Sequence, residues 1–199
     1  GISDEDMWKQ LQKEYKEKYD MSWIGQYGFN NTYALIVREE AAKKYNLTKT
    51  SQLANVSDEL VFGGNSDYIE RKDGFHLLCD TYGLKFKDVK DIDIGLKYEA
   101  LKKGDIDVSN GFTTDAQLSN DNVRVLEDDK HLQVNYFCSN VVRNDTLKSH
   151  PGLEEAIMKL DNSITDKEMA SLNYKVEVEG KEDVEVAKDY LTEKGIIKQ

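Results

Sequence analysis

Thr32-Tyr33-Ala34-Leu35-Ile36-Val37 is a strand-like run of nearly continuous apolar character. A strand of that kind is usually buried on both faces, as in a parallel sheet. Residues 25–31, rich in Gly and Asn, lead into it as a loop. Before the loop, Ser3 and Asp6 have the spacing of a capping box. Met7, Leu11, Tyr15 and Tyr19 then recur every four residues, which predicts an opening helix with one apolar stripe. After the run, helix-like and strand-like segments alternate. Residues 39–45 read as a helix, and 59–62 as a short strand ending in Gly63-Gly64. Residues 72–82 and 96–103 read as helices, closed by Gly83 and Gly104. Residues 105–108 form a strand running into Gly111-Phe112, and 134–142 a second long strand. The alternation predicts an α/β fold with a mostly parallel sheet. The last third differs, because three helices follow one another without strands. One starts at Pro151 with Leu153, Ala156, Ile157 and Leu160 on one face. The next is capped by Thr165 and Glu168. The last carries Val184, Ala187, Tyr190 and Leu191, and is closed by Gly195. They read as a cover packed on a sheet.

The bulk numbers bound the function. With 199 residues, one or two domains are expected. Net charge is −11, from 38 acidic and 27 basic residues, which disfavours a phosphate-backbone partner and tolerates a cationic small ligand. No apolar run is long enough to span a membrane. No basic-plus-apolar secretory segment is read at the start, so an export signal or anchor is expected outside these residues. Cys79 and Cys138 match no metal or redox spacing. Two half-buried thiols are the simpler reading, although an extracytoplasmic setting would let a disulfide persist.

No catalytic apparatus is legible, and no cofactor is implied. His76, His131 and His150 are isolated, and there is no nucleophile elbow, phosphate-binding loop or dinucleotide fingerprint. The aromatic residues carry more information. Tyr33, Phe112, Tyr136 and Phe137 fall near strand ends or crossovers, where α/β sheets place ligands. Rings there could form a cage for a quaternary ammonium, each contributing roughly 0.5–2 kcal/mol. On pattern alone, aromatic residues in strands more often belong to a core.

A family resemblance runs through the whole chain. Phe29-Asn-Asn-Thr-Tyr-Ala-Leu35 resembles the first crossover of the glycine betaine/carnitine/choline-binding proteins of ABC importers. Tyr68-Ile-Glu-Arg-Lys-Asp-Gly74, Asp93-Ile-Gly-Leu-Lys-Tyr-Glu-Ala-Leu101, Gly104-Asp-Ile-Asp-Val-Ser-Asn-Gly-Phe-Thr-Thr-Asp115 and Val125-Leu-Glu-Asp-Asp-Lys-His131 follow in the family's order. Leu172-Asn-Tyr-Lys-Val-Glu-Val-Glu-Gly180 matches near the end.

The resemblance implies a bilobal type II periplasmic-binding fold with a hinged cleft. Residues 32–136 would form the second lobe, and residues 1–31 with 137–199 the first. It also implies ligand contacts: Tyr33, Phe112 and Tyr136 as cage walls, Asn31 on the floor, and Arg71 as a fork for a ligand carboxylate. A salt bridge is the plainer reading of Arg71. Phe112 stands where many members carry tyrosine. The family's opening strand–helix–strand–helix stretch is not found, so the first lobe is expected to be incomplete and to need an N-terminal segment or a second chain. The implied partners are a small trimethylammonium ligand (glycine betaine, carnitine, choline or ergothioneine) and an ABC transporter permease. The implied location is extracytoplasmic, on a lipid anchor or fused to the permease. A ligand-sensing regulatory domain of the same fold is the alternative.

Overall fold

The computed structural model describes residues 2–119 and 122–198. The chain begins with α1 (Asp4–Tyr19), β1 (Met21–Ile24), β2 (Tyr33–Arg38) and α2 (Glu39–Tyr45). It continues through β3 (Val61–Gly64), α3 (Ser66–Glu70), α4 (Phe75–Tyr82), β4 (Asp88–Asp91), α5 (Lys97–Lys103), β5 (Val108–Phe112) and β6 (Val123–Leu126). It ends with β7 (Asn140–Arg143), α6 (Asn144–Ser149), α7 (Leu153–Met158), α8 (Asp166–Glu177) and α9 (Asp183–Glu193). These elements form two compact units, Thr32–Val134 and Gly1–Asn31 with Asn135–Gln199.

The Thr32–Val134 unit is built on a five-stranded sheet of order β4-β3-β5-β2-β6. The period-2 alternation of β2 splits its apolar residues between two cores. Leu35 and Val37 join Phe62, Val108 and Leu126 under α2, α3 and α4. Ile36 joins Leu101 and Ile106 under α5. The expectation of a strand buried on both faces is met: Ile36 and Val37 are fully buried. The expectation of a mostly parallel sheet is not. β3 runs parallel to β4 and β5, but β2 runs antiparallel to both β5 and β6. Apolar continuity reports that a strand is covered above and below; it carries no signal of its neighbours' direction. At the far end of β2, the Arg38 Nε–H donates to Asp107 at 2.6 Å, and the same carboxylate accepts the Val61 N–H at 2.9 Å.

In the other unit, β1 and β7 form an antiparallel ribbon pairing Met21 with Arg143 and Ile24 with Asn140. Ser3 caps α1 as expected, accepting the Asp6 N–H at 3.1 Å. Only the middle of the expected stripe makes the contact, because Met7 and Tyr19 are exposed. Tyr15 of the stripe and Trp8 beside it meet Trp23 edge-on, at 5.2 and 5.8 Å between ring centroids. The expected long strand over 134–142 is also corrected. Its second half supplies β7, while Val134, Tyr136 and Phe137 are exposed, and an isolated bridge joins Phe137 to Asn30. The apolar content was real, but the chain leaves one unit for the other here, so no neighbouring strand accompanies the whole stretch. After β7 come four helices rather than three. In α9, Val184 and Ala187 of the predicted face are exposed and Val186 is buried, while Tyr190 and Leu191 of that face are half-buried. Among the described residues, Ile24, Ile164, Ala170 and Val186 are the buried apolar side chains of this unit, against twenty in the other.

The capping box at the start of α8 forms. The Thr165 N–H donates to Glu168 at 2.8 Å, and the Glu168 N–H to the Thr165 hydroxyl at 3.2 Å. Lys194, first, and then Thr165 hold the Glu168 carboxyl down at about 2. A folded value below the unfolded one gives stability that is full above the ordinary carboxylate range and is lost as pH falls through the folded value. Both partners are partly solvated, so the contribution is small. Glu168→Gln should therefore flatten the acid side of the stability profile between about pH 5 and pH 2, and leave the slope from about pH 6 to pH 8 unchanged. Urea unfolding across that range is the measurement.

Candidate functional site

The antiparallel register of β2 and β5 sets Tyr33 directly opposite Phe112. Their rings stack at 5.0 Å between centroids, with planes 23° apart. Behind Tyr33 stands Tyr68 of α3, at 5.3 Å and a 55° tilt. Tyr68 is buried and stacks in turn on Phe62. Burial, and then the neighbouring Tyr33, push the Tyr68 phenol well above its ordinary value, so it stays neutral. The group is graded: Tyr68 belongs to the core, Tyr33 is half-buried, and Phe112 is 37% exposed. An outward aromatic surface on a rigid backing suits a soft cation, because the ring faces are electronegative and the backing holds them in place.

Arg71 follows α3 and lies close enough to Tyr33 for the phenol to act on its charge. Its guanidinium forks Asp73, with Nε donating to Oδ1 at 2.9 Å and Nη2 to Oδ2 at 2.8 Å. Asp73 raises the Arg71 pKa, and Arg71 lowers that of Asp73. Both side chains are substantially solvated, so this pair is a weak, exchangeable latch. The loop closes at Gly74, whose N–H donates to the Arg71 carbonyl at 3.1 Å. A side chain at 74 has no room, because a Cβ there would lie 2.0 Å from the Tyr68 carbonyl oxygen.

Asn31 and Tyr136 belong to the other unit. There the Asn31 N–H donates to the Tyr136 carbonyl at 3.1 Å, and the Tyr136 N–H to the Asn30 side chain at 2.6 Å. The Tyr136 backbone is thus held on both sides while the residue stays 55% exposed. Of the five residues singled out from the sequence, Tyr33 and Phe112 touch, Arg71 lies near Tyr33, and Asn31 pairs with Tyr136 through the backbone. Sequence reading did not select Tyr68 or Asp73, although both stand in the run ending at Gly74 that carried the resemblance. Neither residue type announces a role as backing or latch.

Cys79 and Cys138 are free, half-buried thiols. Burial pushes Cys79 up to about 11 and also raises Cys138. Among the described residues, no group of three or more His, Cys, Asp or Glu is arranged to hold a metal, and no helix is long and apolar enough to cross a membrane.

The fold is that of a bilobal, type II periplasmic binding protein. The chain belongs to the family described as the substrate-binding domain of ABC-type glycine betaine transport systems, whose model matches residues 3–193. It is 38% identical over 94% of its length to a Helicobacter pylori protein named ergothioneine transport permease/ergothioneine binding protein EgtU, and spans 34% of that protein. It is 37% identical over 91% of its length to the Listeria monocytogenes carnitine transport binding protein OpuCC, and spans 59% of it. A solved glycine betaine/carnitine/choline ABC transporter structure superposes with a TM-score of 0.90 at 36% identity, covering 98% of this chain and 71% of that one.

Gly74→Ala should cost about 1–3 kcal/mol through overpacking against Tyr68, seen as a lower thermal unfolding midpoint. A midpoint unchanged from the parent would show that the loop can move away without loss.

Proposed function

We propose that this chain captures a small trimethylammonium compound outside the cytoplasm and delivers it to an ABC transporter permease. The observation that carries this reading is the stacked Tyr33–Phe112 pair, outward-facing and backed by Tyr68, in a chain of this family. A trimethylammonium group spreads its charge over methyl groups and is cheap to desolvate, so ring faces can replace its water. Carboxylates elsewhere on the surface bring the net charge to −11 and disfavour anionic competitors. The ligand leaves unchanged, because the task is binding and release and not catalysis.

Residues 32–134 and residues 1–31 with 135–199 act in this reading as two lobes. The first supplies Tyr33, Phe112 and Arg71, and the second supplies Asn31 and Tyr136. Arg71 receives the carboxylate of a betaine-type ligand by exchanging it for Asp73, a like-for-like swap of one bidentate partner for another. Glycine betaine, carnitine and ergothioneine offer that carboxylate, and choline does not. The scarcity of buried apolar side chains in the Gly1–Asn31/Asn135–Gln199 unit supports a further segment or second chain completing it. Attachment to the membrane is by a lipid anchor or by fusion to the permease. The Helicobacter relative's name joins permease and binding protein in one product.

The test is calorimetric titration of the full-length protein with choline, glycine betaine, carnitine and ergothioneine. One of them is expected to bind, and Tyr33→Ala should weaken it by roughly tenfold or more, as one ring's cation–π contribution implies. Arg71→Gln should weaken the carboxylate ligands and spare choline. If none of the four binds, the reading is wrong. If Arg71→Gln weakens choline equally, the carboxylate role is wrong and the cage stands.

A further inference from the structure

Phe112 ends β5, and its ring can serve a ligand only if the strand end is held still. One oxygen does the holding. Asp115 Oδ2 accepts the Phe112 N–H at 3.1 Å, the Tyr98 hydroxyl at 2.5 Å and the Lys97 ammonium at 3.3 Å. The Asp115 N–H donates back to the Phe112 carbonyl at 3.1 Å. Residues 112 and 115 are therefore locked in a reciprocal ring of hydrogen bonds, and that ring is tied to α5 through Lys97 and Tyr98. On its other side the Thr113 N–H donates to the Thr32 carbonyl at 3.0 Å, joining the turn to the residue before Tyr33.

Two observations show that the arrangement is built in. Lys97 is only 7% exposed, and a buried ammonium is costly unless a carboxylate faces it. Gly111 leaves the room: a Cβ there would lie 2.9 Å from Asp115 Oδ2 and 3.1 Å from the Tyr98 hydroxyl. The glycine before Phe112 thus allows the carboxylate to sit against the strand end.

We infer that Asp115, anchored by Lys97 and Tyr98, is the positioning residue that holds Phe112 stacked against Tyr33 and so sets the affinity of the aromatic pair for its cation. The inference rests on the proposed function and deepens it. Asp115 acts through Phe112 and does not touch the ligand. Substitution by the isosteric amide removes the charge facing Lys97 and weakens the acceptor for three donors at once, which frees the strand end.

The experiment is a double-mutant cycle between Asp115→Asn and Phe112→Ala in the full-length protein, read by titration with choline and glycine betaine. With Phe112 in place, Asp115→Asn should weaken binding roughly tenfold; in the Phe112→Ala background it should do so less than about twofold, because coupled residues are non-additive. Equal losses in both backgrounds would overturn the inference, since a merely structural role is blind to residue 112. So would a change of less than about twofold with Phe112 present. If Asp115→Asn alone does not fold, the cycle is run with Lys97→Met/Asp115→Asn, which removes the buried charge together with its partner and faces the same two criteria. If the unaltered protein binds neither ligand nor any other trimethylammonium compound, the functional reading fails, and the inference falls with it. Binding by the unaltered protein without coupling sinks the inference alone.

Discussion

Tyr33 faces Phe112 because β2 and β5 pair antiparallel in one register, and that register is held from both ends. In the middle, Leu35, Ile36 and Val37 are buried on alternate faces, so a slip by one residue would turn each into the wrong core. At the far end Asp107 clamps Arg38 and the Val61 N–H. At the near end the turn after Phe112 is bonded to Thr32. The Tyr33–Phe112 pair is thus the last step of a ladder whose position the core decides. Its two rings need no further device to meet, only a strand end that does not fray.

In the proposed function, the same surface separates what must be rigid from what must exchange. Aromatic faces work without moving, and Tyr33 leans on a tyrosine that is itself wedged against Phe62. In that proposal Arg71 works differently. Its fork is filled by Asp73 two residues away, in solvent, where the attraction between the two charges is small. A guanidinium stored in that way is kept in a bidentate-ready shape and gives up little when a second carboxylate replaces the first. The closed backbone at Gly74 keeps the latch close to Tyr68 while leaving the side chains free to trade partners.

The two units are stabilised unequally. One has a sheet covered on both faces and a continuous aromatic–aliphatic core around Phe62. The other has a two-stranded ribbon, helices with few buried residues, and α1 leaning on Trp23 through the edges of Trp8 and Tyr15. Local devices are well formed there, the caps at Ser3 and Thr165 among them, yet caps contribute only about 1 kcal/mol each and do not replace a core. The apolar residues of this unit are present but largely uncovered, which accounts for the exposed ends of the α1 and α9 stripes. With little to pack against, Met7 and Val184 have no reason to face inward.

Features that depend on neighbours in sequence could be read directly. The helix at 39–45, the N-cap at Ser3, the capping box at Thr165, the glycine after α5 and the two-faced burial of 33–37 follow from dihedral preferences and hydrophobic period. The runs around Tyr33, Arg71 and Phe112 pointed to the family because their residues stand close together along the chain. Strand direction did not follow, since an apolar run is the same beside a parallel or an antiparallel partner. Nor did the fate of 134–142, where the first half crosses from one unit to the other with no strand alongside and only the second half pairs, with β1. Above all, nothing local ties Asp115 to Lys97, or Tyr68 to Tyr33. Those pairings join positions 18 and 35 residues apart, and only the folded sheet, by fixing which faces and ends coincide, brings their charges and rings within reach.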